Sequence, residues 1–139
     1  MSKIFNILEQ LELDNNLYFV NKFMDNLNKL CDNLEPLIIS LSNPYNYYEN
    51  INKIYIIFNN IKYESEKLKI YQLVNICNVV EDVLRDAIEL IGPASDDLID
   101  WLLLVQDQLI LHKNDLDNGK IFLSALNPKI INIPERLNK

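Results

Sequence analysis

The chain has 139 residues, nearly half of them apolar, and a formal net charge of −7, which suits one domain with a helical core of ordinary size. Lys and Arg are scattered and form no basic stripe, so nucleic acid and anionic membrane surface are excluded as partners. Only 2 Gly and 5 Pro are present, few for the turns of a many-stranded sheet, although the abundant Asn leaves that argument to be decided by periodicity.

The opening Met1-Ser2-Lys3-Ile4-Phe5-Asn6 holds no long uncharged apolar run. Neither a signal peptide nor a membrane span is expected, and the cytoplasm is the expected compartment. Ile4, Leu8 and Leu11 predict a short helix over residues 3–12, closed by Asp14-Asn15-Asn16, which also caps the next helix. Leu17, Val20, Met24, Leu27, Cys31 and Leu34 recur at helical spacing, with Phe19, Phe23 and Leu30 widening the stripe. Pro36 removes a backbone donor and crowds the preceding turn, so this first long helix should kink or restart before Leu37-Ile38-Ile39 and run to about Leu41.

Ser42-Asn43-Pro44 reads as a loop, followed by Tyr45, Tyr47 and Tyr48, which form a contact patch or cover the end of the core. Ile51, Ile54, Tyr55, Phe58 and Ile61 mark a second long helix. The run Ile54 to Phe58 alone would suit a strand, and the longer periodicity decides for helix. The charged stretch from Lys62 to Lys67, with Glu64 and Glu66, reads as a solvated helix junction. Ile70, Leu73, Val74, Cys77, Val80, Leu84, Ala87, Ile88 and Ile91 define a third long helix, stopped by Gly92-Pro93.

Ser95 with Asp96 and Asp97 is a hydroxyl cap followed by carboxylates at the positive end of the helix dipole. Behind it, Leu98, Trp101, Leu102, Val105, Leu109 and Leu116 form the buried face of a fourth long helix. After Asn118-Gly119 the tail carries Ile121, Phe122, Leu126, Ile130, Ile131 and Ile133, punctuated by Pro128 and Pro134. That is too apolar to be left in water, so the tail should pack along the helices. The expected fold is all-α: one domain over residues 1–139, an antiparallel four-helix bundle with its core at about 17–118, a short N-terminal helix and the packed tail 119–139.

No catalytic machinery is visible. There is no glycine-flanked nucleophile turn and no phosphate-cradling loop. Cys31 and Cys77 sit at apolar helical positions, where a thiol behaves as a small hydrophobe. Together with the single histidine, His112, they lack the close spacing of a zinc site, so no metal and no cofactor are expected. His112 lies near the end of the fourth helix beside Lys113, which predicts a surface or capping role.

Phe58-Asn59-Asn60-Ile61-Lys62-Tyr63, followed on the next helix by Asn78-Val79-Val80-Glu81-Asp82-Val83-Leu84, resembles the core of a histidine-containing phosphotransfer domain. In that family one helix bears His-x-x-Lys-Gly and the next a Glu-x-x-Leu. The pattern is most like the N-terminal phosphotransfer domain of chemotaxis histidine kinases, where a second His stands three residues before the Glu. Asp97 to Leu109, rich in Asp, Leu and Gln, looks like that domain's further helix, and the likeness spans roughly residues 17 to 118. It places Asn59 at the phosphoacceptor, Lys62 at the Lys, Tyr63 at the Gly, Asn78 at the second His and Glu81 at the Glu.

Two departures matter chemically. An imidazole attacks phosphorus through a free ring lone pair, whereas a carboxamide nitrogen has its lone pair delocalised into the carbonyl. The family's Gly admits a partner closely, so Tyr63 also alters docking. The resemblance therefore implies a non-catalytic interaction or regulatory module of bacterial two-component or chemotaxis-type signalling, with Asn59, Lys62, Tyr63, Asn78 and Glu81 as its surface. The implied partner is a response-regulator receiver domain or a sensor or chemotaxis kinase. Two rival expectations stand beside it: a phosphocarrier using His112, and a structural bundle that homodimerises through the apolar tail or the tyrosines.

Overall fold

The computed structural model describes residues 4–139, so the first position of the predicted opening helix lies outside the described residues. Counted over the described residues, five α-helices and two short 3-10 turns make up the regular structure: α1 (Ile7–Asp14), α2 (Leu17–Ile39), α3 (Pro44–Lys67), α4 (Tyr71–Ile88) and α5 (Asp96–Asp117), with 3-10 turns at Ser40–Ser42 and Pro128–Ile130. Among the described residues there is no strand, only an isolated bridge between Ala94 and Asn138.

α1 opens with a reciprocal cap, in which Asn6 accepts from the Glu9 amide and Glu9 accepts from the Asn6 amide. Asn16 caps α2 by accepting from the Tyr18 amide. Val20, Phe23, Leu27, Leu30, Leu34 and Ile38 form its buried stripe. The break expected at Pro36 does not occur, and α2 is continuous through it. Pro36 faces solvent and forfeits one backbone hydrogen bond, while Leu34 and Ile38 anchor the helix into the core on either side.

α3 begins at Pro44 and not near Ile51. Pro44 occupies the first helical position, where its missing donor costs nothing and its fixed φ helps, and Asn43 accepts from the Tyr45 amide. The tyrosines therefore lie inside a helix, which separates them: Tyr47 is buried and donates its hydroxyl to the Ala87 carbonyl at 2.5 Å, while Tyr45 and Tyr48 face solvent. The charged stretch Lys62 to Lys67 forms the last turns of α3 and is not a junction.

The α3–α4 turn closes with Lys69 at φ 59, where the Lys69 amide bonds the Glu66 carbonyl and the Ile70 amide bonds the Ser65 carbonyl. α4 ends at Ile88, short of Gly92, because the Glu89 and Leu90 amides turn back in a tight last turn onto Asp86 and Ala87. Gly92 serves a different purpose. Its backbone passes so close to Tyr47 that a Cβ there would overlap the root of the tyrosine side chain. Ser95 caps α5 as expected, accepting from the Leu98 amide at 3.0 Å.

α3 and α4 form the most extensive helix pair, and their partners run in opposite directions, Tyr47 meeting Ala87 and Lys62 meeting Glu81, so the pair is an antiparallel hairpin. α2 packs on both α3 and α5, and α1 lies against α2 and α5. Phe23, Phe58, Ile54, Leu73, Leu84, Leu98 and Trp101 share one core cluster.

The tail returns along α5. Asp115, Gln108, Trp101 and Ser95 hold it in turn, through Ser124, then Ala125 and Asn127, then the Ile130 carbonyl, then Arg136 and Leu137. These four anchors stand six or seven residues apart, two helical turns, so they form one stripe on α5. Of the tail's six apolar residues named from the sequence, Ile130 alone is buried; Ile121, Phe122, Leu126, Ile131 and Ile133 are exposed. The docking is made by hydrogen bonds to an extended backbone more than by apolar burial, with Leu123 and Leu137 adding partial packing.

Candidate functional site

The α3–α4 hairpin brings three of the five surface residues together. Glu81 is 1% exposed, and an isolated buried carboxylate is costly unless paired and hydrogen-bonded. It is satisfied from α3 on both oxygens: Asn59 Nδ2 donates to Oε1 at 3.1 Å and Lys62 Nζ donates to Oε2 at 2.6 Å. Asn59 and Lys62 lie three residues apart on one helix, so both reach the same carboxylate across the hairpin. The hydrogen bond to Glu81 raises the Lys62 ammonium above the usual lysine value, against a smaller desolvation effect.

Sequence reasoning missed two further members. Arg85, one turn after Glu81, brings a guanidinium nitrogen to 3.7 Å from Glu81 Oε2 and donates to Asp82 at 2.8 Å. Tyr55, one turn before Asn59, is the largest influence holding the Arg85 guanidinium above its ordinary value, ahead of Asp82 and Glu81. The four-residue spacings Tyr55–Asn59 and Glu81–Arg85 were the signal that places both on this face.

Asn78 and Tyr63 are exposed, Asn78 on α4 and Tyr63 toward the end of α3. Tyr63 turns its ring to the Lys67 ammonium, 4.5 Å from the centroid, and so belongs to a cation–π contact and not to the Glu81 cluster. Cys77 lies beneath the face, fully buried, and burial pushes its thiol up to about 12. Burial likewise raises Cys31, to about 11, so both thiols stay protonated and are poor nucleophiles at neutral pH. Chemically the face is a neutralised carboxylate under an amide, an ammonium and a guanidinium: hydrogen-bonding groups without a nucleophile. Among the described residues, no group of three His, Cys, Asp or Glu side chains is placed to hold a metal ion, and no helix is long and apolar enough to cross a membrane.

No protein family, curated protein or solved structure matches the chain.

His112 is not at the surface. It is 1% exposed on the inner side of α5, where the sequence had suggested a solvent-facing cap beside Lys113. The register explains the error, since Leu109, His112 and Leu116 lie three and four residues apart on the core stripe, while Lys113 falls on the next position round. Its Nε2 lies 3.0 Å from Gln108 Nε2 and its Nδ1 lies 3.6 Å from Asp115 Oδ2. Burial pulls the imidazole below its ordinary value of 6.5, against the opposing pull of Asp115. Glu64, read as part of a solvated junction, is half-buried and accepts from Asn26 of α2 at 2.6 Å.

Proposed function

We propose that this chain is a non-catalytic binding module, an antiparallel four-helix bundle of the phosphotransfer type whose α3–α4 face meets a protein partner. The observation that carries the reading is the convergence of Asn59 and Lys62 on Glu81. Three residues selected from two separated stretches of sequence occupy one site, in the roles that the resemblance assigns to an acceptor position, a cation and an orienting carboxylate. The partner is a receiver domain, or a sensor or chemotaxis kinase, of a bacterial signalling pathway in the cytoplasm. Phosphate is not carried, because the amide of Asn59 replaces the nucleophile.

The test is an NMR titration of the chain with the receiver domains of its own genome. The reading expects shifts at Asn59, Asn78 and Arg85 with a receiver or, in a parallel titration, with a sensor or chemotaxis kinase domain, and it fails if neither binds or if the shifts fall only on other faces. A gain of function sharpens the test. Asn59 is exposed, so Asn59→His should fold, and its imidazole would meet Glu81 as Asn59 does. Mixed with a phosphorylated receiver, that variant should acquire acid-labile label while the parent acquires none.

The phosphocarrier reading through His112 draws no support from a ring enclosed by Gln108 and Asp115. Self-association has one observation in its favour, the exposed Ile121, Phe122, Ile131 and Ile133 of the tail. Under that reading, sedimentation should show a dimer that Phe122→Asp with Ile133→Asp converts to monomer; a monomeric parent would remove it.

A further inference from the structure

Gln108 is the joint between the tail and the buried histidine, and its amide can point only one way. The Asn127 backbone amide, which can only donate, sits 3.0 Å from Gln108 Oε1. The Ala125 carbonyl, which can only accept, sits 3.2 Å from Gln108 Nε2. These two backbone groups fix which end of the side chain is oxygen and which is nitrogen. The second hydrogen of the same Nε2 then points to His112 Nε2 at 3.0 Å, so that ring nitrogen must be an acceptor and carry no proton. The imidazole is neutral, with its hydrogen on Nδ1 facing Asp115 Oδ2 at 3.6 Å, longer than a normal hydrogen bond.

A second proton on the ring would set N–H against N–H₂. Turning the Gln108 amide to relieve the clash would present an oxygen to the Ala125 carbonyl and an NH₂ to the Asn127 amide, and both tail bonds would be lost. We propose that residues 121–127 are a strap that lets go of α5 when His112 takes up a proton.

The charged surroundings allow this. Asp115 is the charged group acting on the ring. From α2, Cys31 faces Lys113 and Asp117, the neighbouring positions on α5. The strap itself brings only Ser124, Ala125 and Asn127 to this stripe, with no charge. Asp115 adds a separate acid step. Burial pushes its carboxyl up, but the amide and hydroxyl of Ser124, at 2.7 and 2.9 Å, together with His112 outweigh that and hold it below 3.8.

Both ionisations work in one direction. A histidine whose folded value is depressed stabilises the docked strap fully above 6.5, and the contribution is lost as pH falls through the folded value. The aspartate contribution is intact above 3.8 and is lost only further into acid. The moving segment is bounded on both sides, by the Ile7 amide on the Lys120 carbonyl before it and by the Trp101 indole on the Ile130 carbonyl after it. It also forms one wall, Ile121 to Leu123, of the apolar groove completed by Phe5, Leu11 and Ile70, so release would remodel that groove.

The experiment is amide exchange on the full chain, corrected for intrinsic rates, at neutral pH and at steps below 6.5. Protection at Ser124 and Asn127 should fall by up to about tenfold per pH unit, while α3 and α4 amides and the Trp101 indole stay protected. His112→Gln, which cannot titrate, should abolish the pH dependence between 6.5 and the aspartate step below 3.8. Ring-nitrogen NMR of the parent at neutral pH needs no variant and should show the Nδ1–H tautomer. A protonated Nε2 in the docked state, unchanged protection in acid, or loss of protection across the whole core in step with the strap would each overturn the proposal.

Discussion

Gly92→Ala should destabilise the protein by about 2–3 kcal/mol, in the upper range for overpacking a filled interior, and lower its denaturant midpoint accordingly. The added methyl would overlap Cβ and Cγ of Tyr47, which are the rooted atoms of that side chain and not a mobile tip. Tyr47 cannot retreat cheaply, since it is 1% exposed and its hydroxyl is tied to the Ala87 carbonyl. Either the ring leaves its site or the segment joining α4 to α5 shifts, and that segment also carries the Ala94 amide bonded to the Leu41 carbonyl. Combining Gly92→Ala with Tyr47→Ala, which removes Cγ and Cδ2 from the contact, should cost less than the sum of the two single changes. Strict additivity, or an alanine variant as stable as the parent, would show that the two residues do not collide.

The second large effect concerns the paired carboxylate. Lys62→Met should cost about 2–4 kcal/mol, less than the full penalty for breaking a buried pair because the Lys62 side chain is 20% exposed. Glu81→Leu should cost less than that. The lysine left behind can extend its ammonium into water, whereas Glu81, at 1% exposure, cannot leave the interior. Lys62→Met together with Glu81→Leu should regain most of the loss, since an apolar pair of similar volume often replaces a buried ion pair without penalty. Urea titration of the four proteins measures the cycle, and the proposed order fails if Glu81→Leu is the more damaging single change. Because the Lys62 ammonium is raised in the folded state, the stabilisation from this pair is complete below 10.5 and disappears as alkali passes the folded value.

Helices were legible wherever apolar residues kept a helical period over several turns. The buried faces of α2, α4 and α5 contain most of the residues read from spacing, although Leu17 and Ile91 are exposed and Ile76 and Val83 are buried without having been read, and Ser95 and Asn16 cap where their side chains suggested. The errors fall where a single local rule was opposed by context. Pro36 did not break α2 because core anchors flank it, and Gly92 did not end α4 because it is needed as a space for Tyr47. The tight turn at Lys69 has no glycine to announce it.

Within the α3–α4 face, Asn59, Lys62 and Glu81 were singled out through the resemblance to a phosphotransfer domain, but the depth of Glu81 was not foreseen, since a Glu in an amphipathic helix usually faces water. His112 was misplaced to the surface, and Gln108 passed over, for the opposite reason. Polar residues on a core stripe make sense only once the partners that satisfy them are in place, and here those partners are backbone groups of a tail with no period of its own.

The return of the tail along α5 also sets Ile7 and Lys139 at opposite ends of that helix. The Ile7 amide meets Lys120 just past the end of that helix, whereas the Lys139 amide meets the Pro93 carbonyl just before its start. They are thus separated by a 22-residue rod, about 33 Å long at the usual rise per residue. A tether of about ten extended residues would bridge that span between Ile7 and Lys139, and dyes placed at those two positions would make a ruler for it.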